Sequence, residues 1–400
     1  MSRPPWITAL LLVAAAASAQ TGRRYESEIF PAHTLQSNIQ YGQSITPGGN
    51  TMNLLLDLYT GTGDSARNRP LVLFIHGGGF KGGDKVSNFG TRVCGSLARR
   101  GYVVASINYR TISTIPNDTV HFEAMLRAMQ DAKGAVRFFR RYAEQYGVDT
   151  AQVFATGSSA GSITALHMAY LDSTELPAWA TLTRVGGTFE GTSGNPGWSS
   201  RIQGVISNWG AIADYRWING SDVPVFCVHG TADTVVPHDS SFADGPFRYG
   251  STIVEGRARS LGIRSGLRLF LNTGHTLDNS AVKQDSAIKD FSAWLYTVLR
   301  LPASVPPGRG GLPGAPRLRQ NFPNPFNPAT TIEFEIAARQ HVVLDVYDTT
   351  GRRVTRLVDG SREPGTHRTV FDAAGLPSGV YWVRLSSPGY ALSRSMVLLR

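Results

Sequence analysis

Long apolar runs are missing from this 400-residue chain: outside its first residues, no segment approaches about 18 uninterrupted apolar residues, the length a helix needs to cross a bilayer. The mature chain is therefore expected to be soluble. Cysteine is scarce, with two in all, which excludes a small scaffold stapled by disulfides. Both, Cys94 and Cys227, sit inside apolar runs rather than loops, so two buried thiols are expected rather than a disulfide. A dense lysine and arginine stripe is absent as well. The formal charge of +10 comes largely from the ends, with three arginines and no acid in residues 1–24 and twelve arginines against seven acids in 301–400. Residues 25–300 hold 24 basic and 22 acidic side chains, and so lack the basic footprint that nucleic-acid binding requires.

The first residues carry one arginine, the run ITALLLVAAAA and the small-residue end SAQ. Together these read as a secretory signal peptide over 1–20 rather than a buried helix. After Leu301 the segment PASVPPGRGGLPGAPRLRQ is rich in Pro, Gly and Arg and offers almost nothing to pack, so 301–317 reads as a linker. From 318 to 400, ATTIEFEI, VVLDVYD, RTVFDA, GVYWVRLSS and ALSRSMVLL alternate apolar with polar residues between TG, DG, PG and PSG turns. That is the pattern of a small antiparallel β-sandwich.

Residues 21–300 follow another rule. LVLFIHGG, YVVASINY, AQVFATG, IQGVIS, VPVFCVHG and GLRLFLNTG are short β-branched or aromatic runs ending in glycine or a polar residue. Helical stretches such as FEAMLRAMQDAKGAVRFFRRYAEQYG separate them. Strands apolar on both faces, alternating with helices, imply an α/β fold with a mostly parallel sheet covered on both sides. In such sheets functional groups gather at the carboxyl ends of the strands. The aperiodic stretch 172–201 is either a structured insertion over the site or a long surface loop.

Chemistry collects at those strand ends. Gly157 and Gly161 set the register of GSSAG, making Ser159 the central residue of a GxSxG pattern and Ser158 its structural neighbour. Flanking glycines let a strand turn sharply into a helix and leave the hydroxyl exposed. A serine hydroxyl needs a base, and His275, on the loop after GLRLFLNTG, is the best placed of nine histidines. His76 and His229 are read as loop-holding, His167 as packed against the core, and His33, His121, His238 and His341 as surface or structural. Asp233, in HGTADTVVP, leads as the acid that orients the histidine, with Asp214, in NWGAIAD, as its rival. HGGGF, His76 to Phe80, ends a strand; its glycines allow backbone N–H groups to approach a developing oxyanion beside the N–H of Ala160.

These residues resemble the α/β-hydrolase superfamily, and within it the secreted carboxylesterases that carry HGGGF and a GxSAG elbow. The resemblance runs from about Asn53 to Arg300 on HGGGFKGGDK, INYR, GSSAGS, HGTADTVVP and TGHT. It implies Ser159 as nucleophile, His275 as base, Asp233 as orienting acid, and Gly78, Gly79 and Ala160 as oxyanion donors, with no metal or organic cofactor. LRQNFPNPFNPATTIEFEI, VYDTTGRRV, LPSGVYWVRL and the final VLLR look like a type IX secretion sorting domain of type A over about Leu318 to Arg400. That resemblance implies a partner in the type IX secretion machinery, passage through the periplasm of a gram-negative bacterium to the cell surface or beyond, and no part in catalysis. An immunoglobulin-like binding module shares the sandwich pattern.

The expected reaction is ester hydrolysis through an acyl-enzyme, on short-chain esters, on acetylated or feruloylated plant polysaccharides, or on polyesters. Phe80, Trp198, Trp209 and Trp217 are candidates for lining an acyl pocket, although aromatic residues more often serve the core. A prolyl-oligopeptidase-like peptidase shares the triad order, but the 55 or so residues between the signal peptide and HGGG are too few for its propeller. A surface binding protein on an inactive hydrolase scaffold would normally have lost one of the three catalytic residues, and none is missing here.

Overall fold

A computed structural model describes residues 23–240, 246–299, 317–336, 339–350, 352–387 and 390–399. The expected signal peptide and all but the last residue of the expected linker lie outside them. The chain divides into two compact units, Met1–Leu301 and Pro302–Arg400.

The core of the first unit follows from strands whose apolar runs are buried on both faces. In β3 (Arg69–Ile75), Leu71, Leu73 and Ile75 point into one buried cluster, while Val72 and Phe74 point into another. The same alternation recurs in β4 (Val103–Ile107), β5 (Val148–Ser158), β6 (Gly204–Asn208) and β8 (Val225–Gly230). A strand buried on both faces reads as a continuous apolar run for this reason. Each such side chain contributes about 1.5–3 kcal/mol by leaving water.

With β1 (His33–Ile45), β2 (Thr51–Gly61) and β10 (Ser265–Phe270), these strands form an eight-stranded sheet in the order β1-β2-β4-β3-β5-β6-β8-β10. All pairs are parallel except β1–β2 and β2–β4. Helices α2 (Asp118–Arg141), α4 (Ala160–Tyr170) and α5 (Ser251–Ser260) cover one face; α1 (Asn88–Arg99) and α6 (Ala281–Leu299) cover the other. The remaining elements, α3 (Ala143–Tyr146), β7 (Ala211–Ile212) and β9 (Tyr249–Gly250), are short. Cys94 and Cys227 are buried free thiols belonging to opposite faces of the sheet, which keeps them from pairing. Among the described residues no helix is long and apolar enough to cross a membrane.

Helix α2 begins where Asn117 accepts a hydrogen bond from the Val120 N–H and ends in Arg140 and Arg141, a capped start and a cationic end that suit its dipole. Its polar stripe organises the stretch left ambiguous by sequence. Arg127, Gln130, Lys133, Arg137 and Arg140, spaced three or four apart, bond in turn to the Arg184 carbonyl (2.7 Å), the Thr188 carbonyl (2.7 Å), Glu190 Oε1 (2.8 Å), the Gly194 carbonyl (3.0 Å) and the Ser199 carbonyl (2.5 Å). Residues 184–201 therefore form a strap along α2. Arg140 also bonds the Thr150 carbonyl, at the end of β5 remote from Ser158, so the strap leads away from Ser159 and does not cover it.

The second unit stacks a three-stranded sheet, β11 (Arg317–Leu318), β12 (Ala329–Ile336) and β15 (Gly365–Asp372), on a four-stranded one in the order β14-β13-β16-β17. The latter comprises β13 (Gln340–Tyr347), β14 (Arg353–Arg362), β16 (Gly379–Ser387) and β17 (Tyr390–Leu398). Ile332, Phe334, Leu344, Val383 and Met396 meet in its core. In the NFPNPFNP segment, Phe326 is buried and exchanges backbone hydrogen bonds with Val397 and Leu399. Strand β14 is not among the runs picked out by alternation, because its pairing with β13 carries two register shifts that break the period of two.

Candidate active site

Ser159 stands between β5 and α4 with φ 51° and ψ −121°, a backbone region that side-chain-bearing residues avoid. The turn is tight because strand and helix nearly touch: a β-carbon on Gly157 would lie 2.4 Å from the Gly161 carbonyl carbon. Ser162 secures the far side, its Oγ donating to the Gly157 carbonyl (2.7 Å) and accepting from the Asn208 N–H (2.8 Å). Ser159 is left partly exposed while Ser158 is buried.

His275 reaches this hydroxyl from the loop after β10. Its Nε2 lies 3.0 Å from Ser159 Oγ and its Nδ1 2.7 Å from Asp233 Oδ2, distances at which the hydroxyl donates to the imidazole and the imidazole N–H donates to the carboxylate. Asp233 is buried at the end of β8, where its Oδ1 accepts from the N–H groups of Val235 (2.9 Å) and Val236 (3.0 Å). His229 Nε2 lies 3.3 Å from Asp233 Oδ2 and donates to the Val236 carbonyl at 2.7 Å. Burial works to raise the Asp233 pKa, but hydrogen bonds from His229, His275 and the Val236 N–H prevail and hold the carboxyl well below the usual carboxylate range. The acid and histidine loops are stitched together by the Ala232 N–H on the Thr273 carbonyl (2.9 Å).

The HGGGF loop closes the third side. Its first glycine abuts the site: a β-carbon on Gly77 would lie 3.3 Å from Ser159 Cβ. Gly78 (φ 112°) and Gly79 (φ 62°) then turn the chain, with the Lys81 N–H bonding back to the Gly78 carbonyl at 3.0 Å. Among the described residues, the backbone N–H groups of Gly78, Gly79 and Ala160 meet no acceptor, and Ala160 opens helix α4, where unpaired donors and the helix dipole favour an anion. The loop is held from behind. His76 stacks on Tyr109 at 4.3 Å, Tyr109 Oη donates to the His76 carbonyl (3.0 Å), and Asn108 Oδ1 accepts from the Lys85 N–H (2.7 Å).

The other candidates go elsewhere. Asp214 caps a short turn and pairs with Arg216, at 2.5 Å; it makes no contact with His275. His167 is buried, bonded to the Ile163 carbonyl (2.7 Å), and burial pushes its pKa down to about 4. The aromatic expectation is corrected. Phe80 is fully buried against Tyr109, His121 and Phe247, and Trp209 packs 4.7 Å from Phe89 in the core beneath α1 and α6. Trp217 is buried against Phe122 and His167. Trp198 is half exposed, but rides on the strap beside Ser199 at the sheet end remote from Ser159. Sequence reasoning read His229, four places before Asp233, as loop-holding but not as a partner of that carboxylate, and it missed the supporting Asn108–Tyr109 pair in INYR.

Comparisons with known proteins agree with this architecture. Residues 56–213 match the family described as BD-FAE, and residues 320–398 match the secretion system C-terminal sorting domain. No curated protein matches the chain. Among solved structures, esterase 2 of Thermogutta terrifontis phosphoramylated by tabun is 21% identical, with 67% of this chain and 96% of that one aligned at a TM-score of 0.50. The esterase of the same planctomycete with propionate bound is 20% identical, with 67% and 95% aligned at 0.51. At these identities the likeness is one of fold. The first unit is an esterase-like α/β-hydrolase domain, and the second is a type IX sorting domain, which marks the chain for the cell surface or the extracellular space.

Proposed function

We propose that this α/β-hydrolase with a type IX sorting domain is an exported serine ester hydrolase acting through Ser159, His275 and Asp233. The observation that carries the reading is the unbroken pair of contacts, 3.0 Å from Ser159 Oγ to His275 Nε2 and 2.7 Å from His275 Nδ1 to Asp233. Ser159 Oγ attacks the ester carbonyl as His275 takes its proton. The oxyanion is held by N–H groups of Gly78, Gly79 and Ala160, which meet no acceptor among the described residues and lie where strand, loop and helix converge. Protonated His275 then expels the alcohol. A water activated by the same imidazole releases the acid from the acyl-serine, and Asp233 holds the imidazole in the tautomer both steps need.

The substrates that fit an exported esterase are short-chain acyl esters, acetyl or feruloyl groups on plant polysaccharides, and polyesters. A panel of p-nitrophenyl esters of increasing acyl length, run beside methyl ferulate and acetylated xylan, measures activity and acyl preference together. Labelling by a fluorophosphonate probe that disappears in Ser159→Ala is expected; a folded protein that resists the probe would overturn the reading.

A further inference from the structure

His275 is followed by a turn of the wrong hand. Thr276, Leu277, Asp278 and Asn279 have φ of 55°, 53°, 57° and 54°, so four successive side-chain-bearing residues occupy the left-handed region that L-residues visit singly if at all. Such a conformation persists only where its surroundings over-determine it. Here they do so through two charged groups. Asp278 Oδ1 accepts from the Gly274 N–H at 2.8 Å, just before the histidine, and its Oδ2 accepts from Lys283 Nζ at 2.7 Å. The same ammonium donates to Thr273 Oγ1 at 2.9 Å. Gln284 bonds the Thr276 carbonyl at 3.1 Å and Leu277 is buried beneath.

We propose that Asp278 and Lys283 are positioning residues for His275: they clamp the chain on both sides of it, hold the left-handed turn, and so aim Nε2 at Ser159 Oγ. The inference rests on the reading of Ser159, His275 and Asp233 as the catalytic groups. Neither residue of the pair touches the reacting atoms. Loss of the clamp lets the turn relax toward right-handed geometry and swings the imidazole, which impairs proton transfer and leaves substrate binding alone.

The test compares the full chain with its Asp278→Ala, Lys283→Gln, Lys283→Arg and doubly substituted Asp278→Ala/Lys283→Gln forms. It reads kcat and KM on p-nitrophenyl acetate, the fluorophosphonate labelling rate, and the melting temperature. Asp278→Ala and Lys283→Gln are each expected to lower kcat about 10- to 100-fold, as small misplacements of catalytic groups do, with KM and the bound fold unchanged. Labelling should slow in proportion, Lys283→Arg should restore most of kcat, and the double variant should be no worse than the poorer single one. Lys283 is partly exposed, so its variants test the idea even where Asp278→Ala folds poorly. Wild-type kcat in Lys283→Gln, or variants that lose melting temperature and keep kcat per folded molecule, would overturn the proposal. A wild-type chain that is not labelled sinks the triad reading instead.

Discussion

Gly161 lies so close to Ile75 that a β-carbon on it would stand 1.9 Å from the Ile75 carbonyl oxygen. The helix bearing the elbow is pressed against the strand that leads into HGGG, and this contact brings the serine and the glycine loop together. Gly161→Ala must push strand and helix apart, and we expect it to destabilise the first unit by about 3 kcal/mol or more, at the upper end of overpacking effects. Urea unfolding measures this; an unchanged midpoint would show that the approach is not tight.

The serine and its acid give different losses. Ser159→Ala should lower kcat on the order of 10⁶-fold, as removal of a triad nucleophile does, while Asp233→Asn should cost about 10⁴ by presenting the wrong histidine tautomer. Asp214→Asn, which loses only its pairing with Arg216, should leave kcat near wild type. Assays on one p-nitrophenyl ester separate the three, and the reverse ranking of the two aspartates would move the acid to Asp214.

Asp233 also ties stability to acidity. Its folded pKa is depressed below the unfolded value, so its ionised form stabilises the fold fully above the unfolded value of about 4, and that contribution is lost as pH falls below it. Unfolding free energies of wild type and Asp233→Asn should therefore differ most above about pH 5 and draw together only as pH falls well below 4, through the depressed folded pKa. Parallel curves across that range would contradict the assignment.

The strap makes a prediction of silence and one of loss. Trp198→Ala, remote from Ser159, should leave kcat/KM unchanged. Arg137→Ala removes bonds to the Gly194 carbonyl and to Glu190 and should cost about 1.5–3 kcal/mol, the range for hydrogen bonds to charged groups. A fall in kcat/KM for Trp198→Ala would return that ring to the substrate pocket.

Two thiols on opposite faces of one sheet should be silent to a disulfide reagent in the folded chain and both react after denaturation. Burial pushes the Cys227 thiol up to about 12, removing the nucleophilic thiolate at neutral pH. A thiol titration before and after adding guanidinium decides it, and reaction in the folded state would mean that a face opens.

Much of the site was legible because its signals are local. GSSAG, HGGGF, HGTAD and TGH each combine a strand end with the residue it presents, and a strand buried on both faces announces itself as an apolar run. The edge strand β1 was not legible: it is largely exposed, and two bulges against β2 shift its pattern. The aromatic candidates misled for a related reason. Composition marks Phe80 and Trp209 as large apolar groups, but only packing decides whether such a ring faces a ligand or, as here, the core.

Sequence by itself determined the class of fold, the elbow serine and the glycine loop, since these depend on neighbours within a few positions. Tertiary structure alone decided the partnerships. His275 meets Ser159 across 116 positions and Asp233 across 42; which aspartate lies beside His275, the path of the strap along α2, and the left-handed turn behind His275 all depend on which strand ends the sheet order sets side by side. Spacing along a chain carries no record of that order, because pairing energy comes from contacts made only after the loops have closed.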